Sequence, residues 1–309
     1  MDKRFTFTIN PLSAGKRLDQ AITLYCLDGA IDFSRSSLKS REIPVSVNGK
    51  AEKLSYKVRE GDLIEFVITP LKELKAFPQK VDFDIIYRDR DIAVINKPFG
   101  LTVHPARGHE DNTLVNGLLY YLGGNLPGSS DGIRPGIVHR LDKDTAGLMI
   151  IALNEKSHRK LTEDFKNRNI TKIYHAVVKG NLQEGFGRID CPIGRSRKNR
   201  KLMAVTPDGR PSITEYRVLE NLEGHSYIEI GLLTGRTHQI RVHFSNLGHP
   251  VAGDRLYSSA PGKYGLTGLA LCSKKISFPH PRDGREMSFE IELPGEMKML
   301  LDKLRSGKL

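Results

Sequence analysis

Residues 136–148, GIVHRLDKDTAGL, bring two carboxylates, a histidine, an arginine and a lysine into one short stretch. Arg134-Pro135-Gly136 leads into it and an apolar run follows. It therefore reads as a loop at the mouth of a buried strand, where a rigid scaffold can aim a side chain at a substrate. Asp142 lies between the cations Arg140 and Lys143, with Asp144 two residues on. An aspartate so placed can work as a nucleophile or as a general base. The plainer alternative is an aspartate that only caps a turn.

A second stretch, LTGRTHQIRVHF (233–244), contains an expected strand, HQIRVHF (238–244). On a strand Gln239, Arg241 and His243 share one face, and His238, Ile240 and Val242 share the other. The two histidines then point apart, which makes H-x-x-x-x-H a poor zinc site. Arg241, mid-strand among apolar residues, needs an anionic partner. Asp142 is the candidate, and the pairing would favour its ionised form. Tyr174 in KIYHAVV shares a face with Ala176 and Val178. It is either an ordinary core tyrosine or a ring that stacks on a planar substrate. Arg195, Arg197, Lys198, Arg200 and Lys201 in GRSRKNRK (194–201), with Arg35, Lys39 and Arg41 nearer the N-terminus, are candidate phosphate contacts.

Several elements must position these groups. In GKRLDQAITLYC, Leu18, Ala21, Ile22 and Tyr25 fall at i, i+3, i+4, i+7, an amphipathic helix. Ser34 is a plausible N-cap for a short basic helix. VSVNGKAEK places Asn48-Gly49 at a hairpin turn, and LIEFVI closes a small unit spanning residues 12–70. Residues 71–79, with their prolines and no strong period, read as a linker. From residue 80 to 305 a second domain begins, rich in strands: FDIIY, IAVIN, GLMIIAL, KIYHAVV, SYIEIGLL and HQIRVHF. Helices are expected at EKSHRKLTEDFKNR and at the C-terminal GEMKMLLDKLR. No βαβ repeat is evident. The fold class expected is α+β with a mixed, mainly antiparallel sheet.

The bulk properties narrow the partner. The 309 residues carry a formal net charge of +12, which points to a polyanion, most simply nucleic acid. Three scattered cysteines, Cys26, Cys191 and Cys272, indicate neither a disulfide framework nor a zinc pair. No Walker loop, no GxGxxG between strand and helix and no CxxC occurs, so no nucleotide cofactor and no metal is inferred. The start, MDKRFTFTIN, lacks an apolar export core, and no 18-residue apolar stretch follows; a cytoplasmic protein without membrane contact is expected.

Taken together, the motifs resemble the RluA family of pseudouridine synthases. INKPFGLTVHP (95–105), HRLDKDTAGL (139–148), KIYHAVVKG and GRTHQIRVHFSNLGHPVAGDRLY (235–257) carry the resemblance, in that order, over nearly the whole chain. GKRLDQAI, SRSS, VSVNGK and VREGDLIEF make the N-terminal unit similar to an S4 RNA-binding domain. The resemblance implies that Asp142 is the catalytic aspartate, that Tyr174 packs on the target base, and that Arg241 pairs with the aspartate. It implies that Arg140 fills the space left by a flipped nucleotide. The implied reaction converts uridine to pseudouridine without a cofactor, in large-subunit ribosomal RNA or, alternatively, transfer RNA; a monomer is expected of a protein that must wrap an RNA. Ala146 stands where the family usually has serine, and the S4-like unit is short between SRSS and VSVNG.

Two other functions fit parts of the pattern. Glycoside hydrolysis would use Asp142 and Asp144 as a carboxylate pair, which requires the two to flank a substrate. A non-catalytic RNA-binding or ribosome-assembly factor would need only the N-terminal unit.

Overall fold

The computed structural model describes residues 3–29, 38, 43–68, 76–105, 110–123, 126–128, 134–259, 262 and 264–308. The chain divides into two compact units, Met1–Glu73 and Leu74–Leu309. No described helix is long and apolar enough to cross a membrane.

In the first unit four antiparallel strands lie in the order β1-β4-β2-β3: β1 (Lys3–Thr8), β2 (Val45–Val47), β3 (Lys50–Ala51) and β4 (Leu63–Ile68). Asn48 and Gly49 both take positive φ, 52° and 77°, between β2 and β3, the conformation that a two-residue hairpin turn demands. Helix α1 (Leu18–Asp28) lays Leu18, Ile22 and Cys26 on Ile64 and Phe66 of β4 in one core. Strand β1 was not foreseen from sequence; it pairs with β4 from Lys3↔Ile68 to Thr8↔Leu63. The unit therefore begins before residue 12. The helix expected after Ser34 and the cations Arg35, Lys39 and Arg41 lie outside the described residues.

In the second unit a nine-stranded sheet runs β5-β6-β7-β14-β8-β13-β12-β9, with β15 also on β14. Its strands are β5 (Asp84–Arg88), β6 (Ile92–Lys97), β7 (Ala146–Ala152), β8 (Thr171–Lys179), β9 (Phe186–Asp190), β12 (Ile213–Leu222), β13 (His225–Leu232), β14 (Leu271–Pro279) and β15 (Glu286–Glu290). A separate hairpin pairs β10 (Ile193–Arg195) with β11 (Met203–Val205). Among the described residues only β7 and β14 pair in parallel, so the sheet is mixed and mainly antiparallel, as the composition of elements predicts. Every residue of β7 is buried. Met149 and Ile151 enter one core, which α2 (Leu114–Leu122) helps to fill. Leu148, Ile150 and Ala152 enter the other, with Leu161 of α3 (Glu155–Asn167). Burial on both faces is why GLMIIAL is a continuous apolar run rather than an alternating one. The C-terminal helix α5 spans Gly295–Arg305.

One expectation is overturned. HQIRVHF is not a strand: Gln239–Asn246 forms helix α4. All of Gln239 to Phe244 are buried, so this part of the helix has no solvated face. Ile240, Val242 and Phe244, two apart, imitate a strand's alternation. Part of the expected linker is also tied down. Asn116 Nδ2 donates to Phe77 O at 2.9 Å, and Gln79 Nε2 donates to Asn112 Oδ1 at 2.9 Å.

Candidate active site

A cleft of about 680 Å³ opens beside the sheet, and Arg140, Asp142, Tyr174, His238 and Arg241 are among the residues lining it. Its floor is built by the loop before β7. Thr145 N donates to Asp142 O at 3.1 Å, closing a turn, and Leu269 N donates to Asp144 O at 2.9 Å. At Gly147 the chain takes φ +118°, and a Cβ there would lie 2.4 Å from Ser273 O. Only glycine lets β7 approach β14 this closely just after the loop. Ala146 is buried opposite Cys272 in β7 and does not line the cleft. The departure from the serine usual at this position thus falls on strand packing.

Beneath the loop lies a group that sequence reading passed over. Lys97, at the end of β6, is fully buried, and its Nζ donates to Pro98 O, Leu101 O and Lys143 O at 2.8, 3.0 and 2.9 Å. Three donors meet three carbonyls. Burial pulls the amine down to about 7, against the opposing pull of Asp144 and Asp142. The only sequence signal is a lysine directly continuing a buried apolar strand. Lys97→Met leaves those carbonyls without their donor, at about 1–3 kcal/mol for an unmade buried hydrogen bond. We expect a stability loss of about 3 kcal/mol in urea unfolding and a lower kcat from a slack Asp142 loop.

The Asp142–Arg241 pair forms, though through a helix. Arg241 Nη1 donates to Asp142 Oδ2 at 3.2 Å. Its stronger partner is Asp254: Nε donates to Oδ2 at 2.7 Å and Nη2 to Oδ1 at 3.0 Å. Asp254 is completely buried and also accepts from Leu256 N and Tyr257 N. The arginine is thus gripped at its fork by one carboxylate and offers its remaining nitrogen to the other. Its guanidinium also lies over the Tyr257 ring, 5.0 Å from the centroid. Asp254 sits in the quoted motif VAGDRLY, but nothing in its spacing marks it as Arg241's partner.

His238 precedes α4 with φ 56°, a left-handed conformation unusual for a residue with a side chain. Met203 N donates to the Tyr257 hydroxyl at 3.0 Å, and that hydroxyl lies 2.7 Å from His238 Nδ1. Where the phenol donates to Nδ1, the proton of the neutral imidazole sits on Nε2. Nε2 faces Asp142 Oδ2 at 3.8 Å. His243 is committed elsewhere, to Thr214 Oγ1 and Cys191 O. The two histidines have separate partners, for a reason other than strand alternation.

Tyr174 on β8 is 6% exposed and packs in the core with Ala176 and Val178 while reaching the cleft. Burial pushes its phenol well above the ordinary tyrosine value, so the ring stays protonated. Arg140 is exposed at the rim, with Nη1 3.3 Å from His104 Nε2. Asp144 does not line the cleft, so the acid pair needed for glycoside hydrolysis is not assembled from Asp142 and Asp144. Arg195, Arg197, Lys198, Arg200 and Lys201 are exposed on the β10–β11 hairpin and outside the cleft lining. The hairpin is attached to the site where β11 leaves the connecting loop, through Met203 and Tyr257.

His139 supports the loop from within. Ile150 N donates to His139 Nε2 at 2.9 Å, and burial, with Lys172 nearby, draws the imidazole down to about 3. Below about 6.5 the unfolded chain takes up a proton that the folded chain refuses. Stability should therefore fall as pH drops from about 6.5 towards about 3, by ~1.4 kcal/mol per pH unit from this group. His139→Gln keeps a neutral acceptor and should flatten that slope by one proton in urea unfolding at stepped pH.

Away from the cleft, Asp89, Asp91 and His280 form the one group of metal-capable side chains among the described residues. Their carboxylate oxygens already accept from Ile92 N, Tyr87, His280, Asn154 and Arg282. The cluster pins the turn between β5 and β6.

Residues 91–246 match the sequence model of a family described as RNA pseudouridylate synthase. A Bacillus subtilis (strain 168) protein named uncharacterized RNA pseudouridine synthase YlyB is 42% identical over 279 residues, covering 89% of this chain and 91% of its own length. The ribosomal large subunit pseudouridine synthase D of Yersinia pestis is 40% identical over 314 residues, covering 97% and 94%. Among solved structures, human RNA pseudouridylate synthase domain containing 1 aligns with a TM-score of 0.59 at 28% identity, over 74% of this chain and 94% of that one.

Proposed function

Because the chain belongs to the RNA pseudouridylate synthase family and is an RNA pseudouridine synthase, we propose that it isomerises uridine in large-subunit ribosomal RNA, with Asp142 as the catalytic residue and no cofactor. The observation that carries the catalytic assignment is the Asp142 carboxylate in the cleft, 3.2 Å from a buried arginine and in one lining with Tyr174. The ribosomal target is supported by the relatives named large-subunit pseudouridine synthase D, which match nearly the whole chain. Transfer RNA is the alternative substrate.

The reaction breaks the N1–C1′ bond, turns the uracil within the site and joins C5 to C1′. The C5 proton is lost and N1 gains one, so no redox partner or energy source enters. A uridine in structured RNA must first leave its stack, at a few kcal/mol. Arg140, exposed at the rim, would fill the vacated position. Tyr174 holds the base face while the glycosidic bond is broken. Asp142 acts on the ribose, either by attack at C1′ or as a base. Arg241, fixed by Asp254, keeps the carboxylate aimed into the cleft. The exposed hairpin cations hold phosphates.

The N-terminal unit, with α1 packed on its small sheet, is read as an S4-like RNA-binding domain. The second unit is read as the catalytic domain. We further expect a cytoplasmic monomer. Incubation of the purified protein with unmodified RNA, followed by nucleoside analysis, tests the reaction. Pseudouridine without free uracil is expected; free uracil would indicate hydrolysis instead.

A further inference from the structure

One wall of the cleft carries charge that the chemistry above does not use. Its carboxylates have their own cations: Asp142 pairs with Arg241, and Glu215 with Arg188 at 3.0 Å. Lys166, Arg168 and Lys172 also line the cleft, and among the described residues none has an ion-pair partner.

Lys172 differs from the other two. Lys166 and Arg168 are exposed at the end of α3, where a cation complements the helix's C-terminal partial charge. Lys172 is half-buried on β8, two residues from Tyr174 and on the same strand face. Its Nζ lies 5.7 Å from the centroid of the Phe165 ring, and that ring packs against His139 at 4.6 Å. Nζ is also 3.9 Å from where a Cβ of residue 235 would be. Glycine at 235 sets no side chain against the ammonium, and both residues line the cleft. Burial holds the amine below the ordinary lysine value, with no anion to offset it.

A half-desolvated ammonium in a cleft wall, beside an aromatic ring and with no carboxylate of its own, is suited to receive an anion. Its donors rotate freely and impose no planar geometry, which suits a phosphate oxygen. We propose that Lys172 holds a backbone phosphate of the RNA beside the extruded uridine, an inference that rests on the function proposed above. The base packed on Tyr174 and the phosphate on Lys172 would then be set by one strand, fixing the nucleotide's orientation at two points.

The test is binding of a 12-nucleotide oligouridylate, followed by fluorescence anisotropy over a range of salt concentrations. Lys172→Met keeps the apolar stem against Phe165 and removes the charge. Losing one phosphate contact on a single strand should reduce the slope of log K against log salt by about 0.7, which is about fivefold in affinity at ~0.1 M salt. Lys172→Arg should restore both. Equal slopes and affinities for wild type and Lys172→Met would overturn the proposal. So would a fall in kcat at unchanged affinity, which would put Lys172 in the chemistry instead. Wild-type turnover of unmodified RNA, run in parallel, tests the underlying function separately. No pseudouridine from wild type overturns that function; pseudouridine together with an unchanged salt slope in the Met variant overturns only the lysine's role.

Discussion

Asp142→Asn should abolish pseudouridine formation, lowering kcat by at least about 10³-fold, because amide nitrogen and oxygen supply neither a nucleophile nor a base of useful strength. RNA binding should be nearly unchanged. The amide oxygen can still accept from Arg241 Nη1, which approaches Asp142 Oδ2 at 3.2 Å, so the cleft keeps its shape. The loop itself is held by backbone contacts from Lys97 and Leu269 that do not involve the carboxylate. Single-turnover assays on RNA pre-bound to the variant separate the chemical step from binding. Substantial turnover would remove Asp142 from the mechanism.

Loss of Arg241 should have the second largest effect, and on two quantities at once. Its guanidinium is 5% exposed and is the cation of Asp254, which is 0% exposed. Arg241→Met would leave a carboxylate buried without a partner, which costs about 3–5 kcal/mol. Urea unfolding should register that loss. Arg241→Lys retains a charge but not a fork, so it cannot hold both oxygens of Asp254 and also reach Asp142. It should fold, while kcat falls by about 10²-fold from misplacement of Asp142. A change confined to KM would assign Arg241 to RNA binding alone. Asp254→Asn supplies the complementary variant, since it weakens the same grip from the other side without touching the cleft.

These predictions also mark where the sequence was informative. Asp142 was legible because glycine, proline and an apolar run bracket it. Tyr174 was legible because its strand alternates cleanly. The pairing of Arg241 with Asp142 followed from a charge that could not be buried alone, and the structure contains it. The helix that carries Arg241 was hidden, because a segment buried on all sides has no amphipathic period to display. Asp254 was hidden as well. It lies 13 residues beyond Arg241, past the end of the helix, and local patterns carry no information on such a pairing. Lys97 and Lys172 were visible only as lysines in strand-like runs. What they contact depends on how β6 and β8 are set against loops distant in sequence, as the bond from Lys97 to Lys143 O shows. Strand β1 was missed because KRFTFT is polar on one side and short, and its partner β4 lies some sixty residues away.

The most direct measurement is a site-resolved map of pseudouridine on unmodified transcripts of large-subunit ribosomal RNA and transfer RNA after incubation with the purified protein. Wild type should convert discrete uridines in the ribosomal transcript, and Asp142→Asn should convert none. Equal conversion by the two proteins would contradict the assignment of Asp142, and conversion confined to transfer RNA would contradict the proposed target.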